Sequence, residues 1–364
     1  MMNRIFSFCR GFVFLASLIA AQAAALASEN CRIAFDMGSS GIRAGTTGND
    51  FTTRADIDYL GPLWAGQGIA ATLPATLAAL RQLPIAAGFP ADCEQVGGGF
   101  SAWRLALQQE PAGLVVALEQ IRTATGVAVV VLPQQAEGSY GYFGARQLLG
   151  EKLVTSHVLD IGGGSLQVSG LASAFGEAMG QKIWQRFLCQ EIRGSESSPC
   201  QLQPMSQEEL AKARRLADAR LAGASSVLAT PLSMTAISRP VSRGVLPALL
   251  RLADGDVSRQ GFSRRSLSVG IEKLALLSSD ETAELVASSP PFVSYLLSDM
   301  LLVEGLLRVT GGDYLQVAEL DLTNLPGLLA DDRAYAWGRH YNCYLERLRS
   351  LGLAAYESDP ASCP

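Results

Sequence analysis

One pattern occurs twice in this chain and sharply limits the folds open to it. Residues 31–46 read Cys-Arg-Ile-Ala-Phe-Asp36-Met-Gly-Ser-Ser-Gly-Ile-Arg43-Ala-Gly-Thr, and residues 157–169 read His-Val-Leu-Asp160-Ile-Gly-Gly-Gly-Ser-Leu-Gln167-Val-Ser. Each is an apolar strand carrying an Asp, then a Gly/Ser turn, then alternating residues suited to a returning strand. The two lie roughly 120 residues apart, about one domain length. They predict an internal duplication in which a β-hairpin opens each half.

The rest of the 364-residue chain supplies alternating helices and strands. Helical spacing covers 71–82, 113–125, 266–277 and 292–310, and a capping box at Ser206-Gln-Glu-Glu209 opens a helix over 206–221. A final helix spans 333–351. Runs rich in β-branched and apolar residues predict strands at 127–132, 227–232 and 315–320. The expected class is α/β in two lobes. A boundary near residue 150 gives lobes 28–150 and 151–364, with the final helix free to pack back on the first.

Residues 1–27 read as a secretory signal: Arg4 and Arg10, an apolar stretch, then Ala25-Leu26-Ala27. No other segment reads as apolar enough to span a membrane. Of seven cysteines, Cys9 leaves with the signal, and an even set in an exported chain predicts disulfides. The loop between Cys189 and Cys200 is one expected bridge, with Cys31–Cys93 and Cys343–Cys363 as guessed partners. A periplasmic or secreted location follows.

Composition excludes several chemistries. The formal net charge is −5, which leaves no cationic surplus for duplex nucleic acid. Two histidines make a His-rich metal site or a Ser-His-Asp triad a poor expectation. Chemistry here must run on carboxylates, hydroxyls and backbone.

Those groups converge in the two turns. Consecutive turn glycines let N–H groups point outward as a nest for phosphate oxygens. The candidates are Gly38, Ser39, Ser40 and Gly41, with Gly162, Gly163, Gly164 and Ser165 opposite. Asp36 and Asp160, near strand ends, suit Mg²⁺ directly or through its waters. Arg43 follows the first turn closely enough to contact phosphate. Glu137, read as a carboxylate beside Tyr140, Tyr142 and Phe143 and away from cations, suits a base for water.

Asp36-Met-Gly-Ser-Ser-Gly-Ile-Arg and Leu159-Asp-Ile-Gly-Gly-Gly-Ser resemble the phosphate loops of the exopolyphosphatase/guanosine-pentaphosphate phosphohydrolase (Ppx/GppA) family, within the sugar kinase–actin–chaperone ATPase superfamily. Gly99-Phe-Ser-Ala-Trp-Arg104-Leu-Ala is similar to the family's Arg-bearing segment. Pro133-Gln-Gln-Ala-Glu137-Gly resembles the segment with its catalytic base. Asp299-Met-Leu-Leu-Val-Glu and Asp321-Leu-Thr-Asn extend the resemblance over about 30–330. It implies two duplicated ribonuclease-H-like (actin-like ATPase) lobes with a phosphate cleft between them, Arg104 near the phosphates, Glu137 as base and polyphosphate or a phosphorylated nucleotide as substrate.

Three positions depart from the family: Ser40 in place of Asn, Gln167 in place of Glu, and Ala136 before Glu137 in place of a second Glu. All lean toward the related apyrases, in which Gln167 would face the phosphates. An apyrase-like nucleotide hydrolase and a non-catalytic phosphate-ligand sensor are the alternatives. No membrane partner is expected after signal removal, and a homodimer is left open.

Overall fold

The computed structural model describes residues 31–252, 255–287, 290–320 and 324–364. The expected signal at 1–27 and residues 321–323 of the Asp321 segment lie outside them.

Two sheets repeat one topology. The first runs β1 (Arg32–Met37), β2 (Gly41–Thr46), β3 (Asn49–Asp56), β4 (Glu94–Gly99) and β5 (Ala128–Val131). Its order is β3-β2-β1-β4-β5, antiparallel over the first three strands and parallel from β1 to β5. The second contains β6 (His157–Ile161), β7 (Leu166–Gly170), β8 (Ala174–Glu177), β9 (Met234–Ala236), β10 (Val257–Ser258), β11 (Gly261–Ser263) and β12 (Tyr314–Val317). Its order β10-β11-β12-β9-β6-β7-β8 contains the same arrangement. Again the three-strand meander is antiparallel, and β6, β9 and β12 are parallel.

The duplication holds at the level of single residues. Asp36 pairs across its hairpin with Arg43, and Asp160 pairs across its own with Gln167. Each turn closes with a backbone bond of the same kind, Gly38 N to Gly41 O at 3.0 Å and Gly162 N to Ser165 O at 2.9 Å. Gly41 sits at φ +146°, where an added Cβ would lie 2.2 Å from Ala55 O, so only glycine fits.

Five helices support the hairpins or close the first sheet: α1 (Ser101–Gln109), α2 (Gln134–Leu149), α3 (Gln181–Arg193), α4 (Pro290–Val309) and α5 (Tyr341–Leu351). The first three were not expected from periodicity. Glycines at 138, 141 and 144 weaken the helical signal of α2. Gly138 lets it approach β7: a Cβ there would meet Ser169 Oγ at 2.1 Å.

Other expectations need correction. The strand expected at 227–232 is the end of a short helix, Ala224–Val227, followed by an irregular link. Pro231 lacks the N–H a ladder would need, and pairing begins only at Met234. The helix expected at 333–351 breaks at His340 (φ −104°, ψ 40°) into Asp332–Arg339 and α5. By length and composition alone, residues 69–87 do pass as a membrane span. That segment instead buries Thr76, Ala79, Leu80 and Leu83 in the first core.

The chain's last helices complete the first sheet. Tyr335, Trp337, Tyr341 and Tyr344 are buried in its core. β5 is an edge strand, whose unpaired backbone is a hazard if left open. The Tyr341 hydroxyl donates to Val129 O at 3.0 Å, and the Tyr344 hydroxyl accepts from Val131 N at 2.7 Å. Disulfides join Cys31 to Cys93, Cys189 to Cys200 and Cys343 to Cys363, the three pairings expected. They are consistent with an oxidising compartment.

Candidate active site

The two hairpin turns face each other across a cleft of about 310 Å³. Asp36, Gly38–Gly41 and Arg43 line one wall, and Asp160, Gly162, Gly163 and Ser165 line the other. Their approach is close: a Cβ on Gly163 would fall 2.4 Å from Ser39 Oγ, and one on Gly164 would fall 2.7 Å from Ser101 Oγ. The glycines of the second turn therefore serve contact between the lobes as well as backbone exposure.

Three acids meet at the floor. Burial pushes Asp160 up to about 7, helped by the charges of Glu137 and Asp36. Burial likewise lifts Asp36 to about 6, against the backbone N–H of Asn324, which donates to its Oδ2 at 3.1 Å. Glu137 adds to that rise and Arg43 opposes it. Asp36 and Asp160, both lining the cleft, form a hard-oxygen donor pair. Mg²⁺ takes one or two such carboxylates and keeps the rest of its shell for water and phosphate, so Asp36 and Asp160 fit it. Among the described residues no group of three His, Cys, Asp or Glu forms a closed cation cage.

Glu137 sits in the first turn of α2, not in an exposed turn, and is 8% exposed. Its side-chain hydrogen bonds fall on one oxygen. Oε2 accepts from Arg104 Nη2 at 2.6 Å, from Gln167 Nε2 at 3.0 Å and from Ser165 Oγ at 3.4 Å. The expectation that Glu137 stands away from cations is therefore wrong. α1 and α2 both begin at the same edge of the first sheet, just after the adjacent parallel strands β4 and β5, and this brings Arg104 onto it. Arg104 is itself fixed by bonds to Leu132 O at 3.0 Å and Ser165 Oγ at 3.1 Å.

The aromatic neighbours are also elsewhere. Tyr140 turns its hydroxyl to Asp331 and Tyr356, and none of Tyr140, Tyr142 and Phe143 lines the cleft. Helical geometry sends Tyr142 and Phe143, five and six positions on from Glu137, to other faces. Gly164, Arg104 and Gln167 do not line the cleft wall either; the last two stand behind Glu137.

Several lining residues were missed by sequence reasoning: Arg54, Lys182, Arg239, Gln181 and Asn324. Arg54 lies on β3, and Gln181 and Lys182 open α3, where their N–H groups donate to Gly162 O and Gly163 O. The capping of the second turn by a helix start was the one signal available, since Gly180 precedes a polar-apolar helical run.

Gln181 has a buried partner in α4. Its Nε2 donates to Asp299 Oδ2 at 2.5 Å, while Asp299 Oδ1 is buried without a partner among the described residues. Burial pushes the Asp299 carboxyl up to about 8. A folded-state value raised this far above about 3.9 means that its stabilising contribution is complete below about pH 4. It is lost as pH rises through about 8. Asp299→Asn is therefore expected to be more stable than wild type at pH 9, on the order of a few kcal/mol, with little difference at pH 4. Thermal melts at the two pH values check this; an equal difference at both would count against it.

With the geometry in hand, comparison with known proteins places the chain. The sequence pattern of the Ppx/GppA phosphatase family matches residues 115–290. A search of curated proteins finds no match. Among solved structures, the Ppx/GppA family member of Aquifex aeolicus has 14% identity and a TM-score of 0.60, over 82% of this chain and 96% of that one. An exopolyphosphatase from Cytophaga hutchinsonii has 14% identity and a TM-score of 0.58, over 82% and 96%. An exopolyphosphatase-like protein has 17% identity and a TM-score of 0.59, over 85% and 99%. At these identities the structures establish shared fold. The central sequence match, which supports a phosphohydrolase, and the fold shared along most of the chain together bear out the resemblance to the Ppx/GppA phosphatase family.

Proposed function

We propose that this protein is an exported phosphohydrolase that removes terminal phosphate from linear polyphosphate or a closely related phosphoanhydride. The observation that carries this reading is the make-up of the cleft. Acids stand at its floor, while Arg43, Arg54, Lys182 and Arg239 are spaced along its walls. Phe100 is the one aromatic residue among the described lining residues, and it is 1% exposed. A phosphate chain finds partners along the whole cleft; a nucleobase finds no ring to stack on.

The chemistry follows from the donors on Glu137. Arg104, Gln167 and Ser165 engage Oε2, which fixes the carboxylate and keeps Oε1 available toward the cleft. Oε1 takes a proton from water as the water oxygen bonds to the terminal phosphorus. The bridging P–O bond breaks, and the leaving chain departs with that oxygen. Backbone N–H groups of Ser39, Ser40 and Gly163, with the Ser39 and Ser40 hydroxyls, hold the non-bridging oxygens in line. Asp36 and Asp160 would hold Mg²⁺, whose charge would offset that which develops during transfer.

A phosphate-release panel tests the reading. Long-chain polyphosphate, tripolyphosphate, ATP and ADP are offered to the purified chain with Mg²⁺ and with a chelator. Release from polyphosphate is expected, with loss in chelator and slower turnover of both nucleotides. Preference for ATP or ADP would make the protein apyrase-like. Binding without release from any substrate would make it a phosphate-ligand sensor.

A further inference from the structure

Beyond the cleft, α3 leads to a second hollow, with two arginines among its lining residues. Lys182, at its start, lines the cleft, with Nζ 3.9 Å from Asp58 Oδ1. Arg186 lies four residues on, on the same helix face and about 6 Å further along the axis. Arg186 and Gln190, with Arg220 from helix Gln207–Leu221, are the polar residues lining a hollow of about 180 Å³ whose other lining side chains, Ala178, Met179, Ile183, Trp184 and Phe187, are apolar.

The two arginines are held in place by rings. The Arg220 guanidinium carbon is 4.5 Å from the Phe187 ring centroid, and that of Arg186 is 5.0 Å from the Trp64 centroid. Stacking fixes a guanidinium plane and leaves its N–H edge to meet an anion. Among the described residues Arg220 has no carboxylate partner, whereas Arg193, Arg214 and Arg308 nearby each have one.

An anion already stands on part of this site. Glu196, in the loop clasped by Cys189–Cys200, accepts from Arg186 Nη2 at 3.3 Å and from Gln190 Nε2 at 3.0 Å. Its side chain is 83% exposed, and an ion pair so wet is weak. A phosphate, with more charge and more acceptor oxygens, displaces it readily. Trp184 is fully buried and Arg220 covers Phe187, so recognition here is by charge and hydrogen bonding rather than base stacking.

We propose that the Arg186–Gln190–Arg220 hollow is a distal subsite for phosphate groups of a long linear chain whose reacting end lies at Glu137, with Lys182 bridging the two. The assignment rests on the phosphoanhydride reading and extends it to substrate length: the protein holds long chains better than short ones.

Equilibrium binding decides it without relying on turnover. Long-chain polyphosphate and tripolyphosphate are titrated onto the full chain at low ionic strength, in a Glu137→Gln background so that neither is consumed. Arg186→Gln combined with Arg220→Gln is expected to weaken long-chain binding about 5- to 20-fold and to leave tripolyphosphate within about twofold. Glu196→Gln, which removes the resident anion, is expected to tighten long-chain binding about two- to threefold. Equal losses for both ligands, no loss for either, or a fall in long-chain affinity in Glu196→Gln overturns the subsite. Length-dependent binding without phosphate release from the wild-type chain would instead sink the catalytic reading and leave the subsite standing.

Discussion

Glu137→Gln is expected to lower phosphate release about 10²- to 10⁴-fold, the range a positioned general base supplies, while polyphosphate binding is kept or tightened. The cause is geometric. The amide oxygen of Gln still accepts from Arg104, Gln167 and Ser165, the three donors that meet Oε2. The amide NH₂ then takes the place of Oε1 and has no lone pair for a water proton. Binding is spared because one negative charge leaves a floor where Asp36 and Asp160 already repel each other. Phosphate release and calorimetric binding on the same preparation separate the two effects. Full turnover in this variant would remove Glu137 from the chemistry.

The second large effect is on folding. Arg104 and Glu137 are 5% and 8% exposed and meet at 2.6 Å. Removing one partner of a buried pair leaves an uncompensated charge, at a cost of about 3–5 kcal/mol. Arg104→Met is expected to destabilise by that amount in urea unfolding. Adding Glu137→Gln to it is expected to restore much of the loss, because no charge then remains stranded. Strict additivity of the two substitutions would show that the pair is not coupled. The net worth of the intact pair is a separate matter: its role is to fix one oxygen of Glu137.

Sequence patterns revealed the parts of the fold whose causes are local. The hairpins at Asp36 and Asp160 fold in matching register because strand, turn and return strand are contiguous. The Ser206–Glu209 capping box forms as read, with Ser206 accepting from the Glu209 N–H. Where glycine or proline changes the backbone's options, periodicity misled. α2 is helical despite its glycines, one of which, Gly138, must be small to pack on β7, and Pro231 cancels a strand that apolar content alone would favour.

The candidate site divides the same way. Its loops and three acids are local features or resemble a known motif. The partnership of Arg104 with Glu137 joins residues from different helices and is created by their convergence. Lys182 and Arg54 reach the cleft because α3 begins beneath the second turn and β3 runs beside the first. Nothing in the residues flanking Arg54 signals an anion-binding role.

The tyrosine-covered edge of β5 bears on how the protein is made. Val129 and Val131 emerge from the ribosome more than 200 residues ahead of Tyr341 and Tyr344, which satisfy their outer backbone groups. Throughout that interval the first lobe carries an open strand of sequence Ala-Val-Val-Val, a ready template for mispairing between nascent chains. Its maturation therefore waits on the last part of the polypeptide. Oxidation of Cys343 to Cys363 then tethers the helix that bears both tyrosines, so a bond distant from the cleft fastens the lobe that builds half of it.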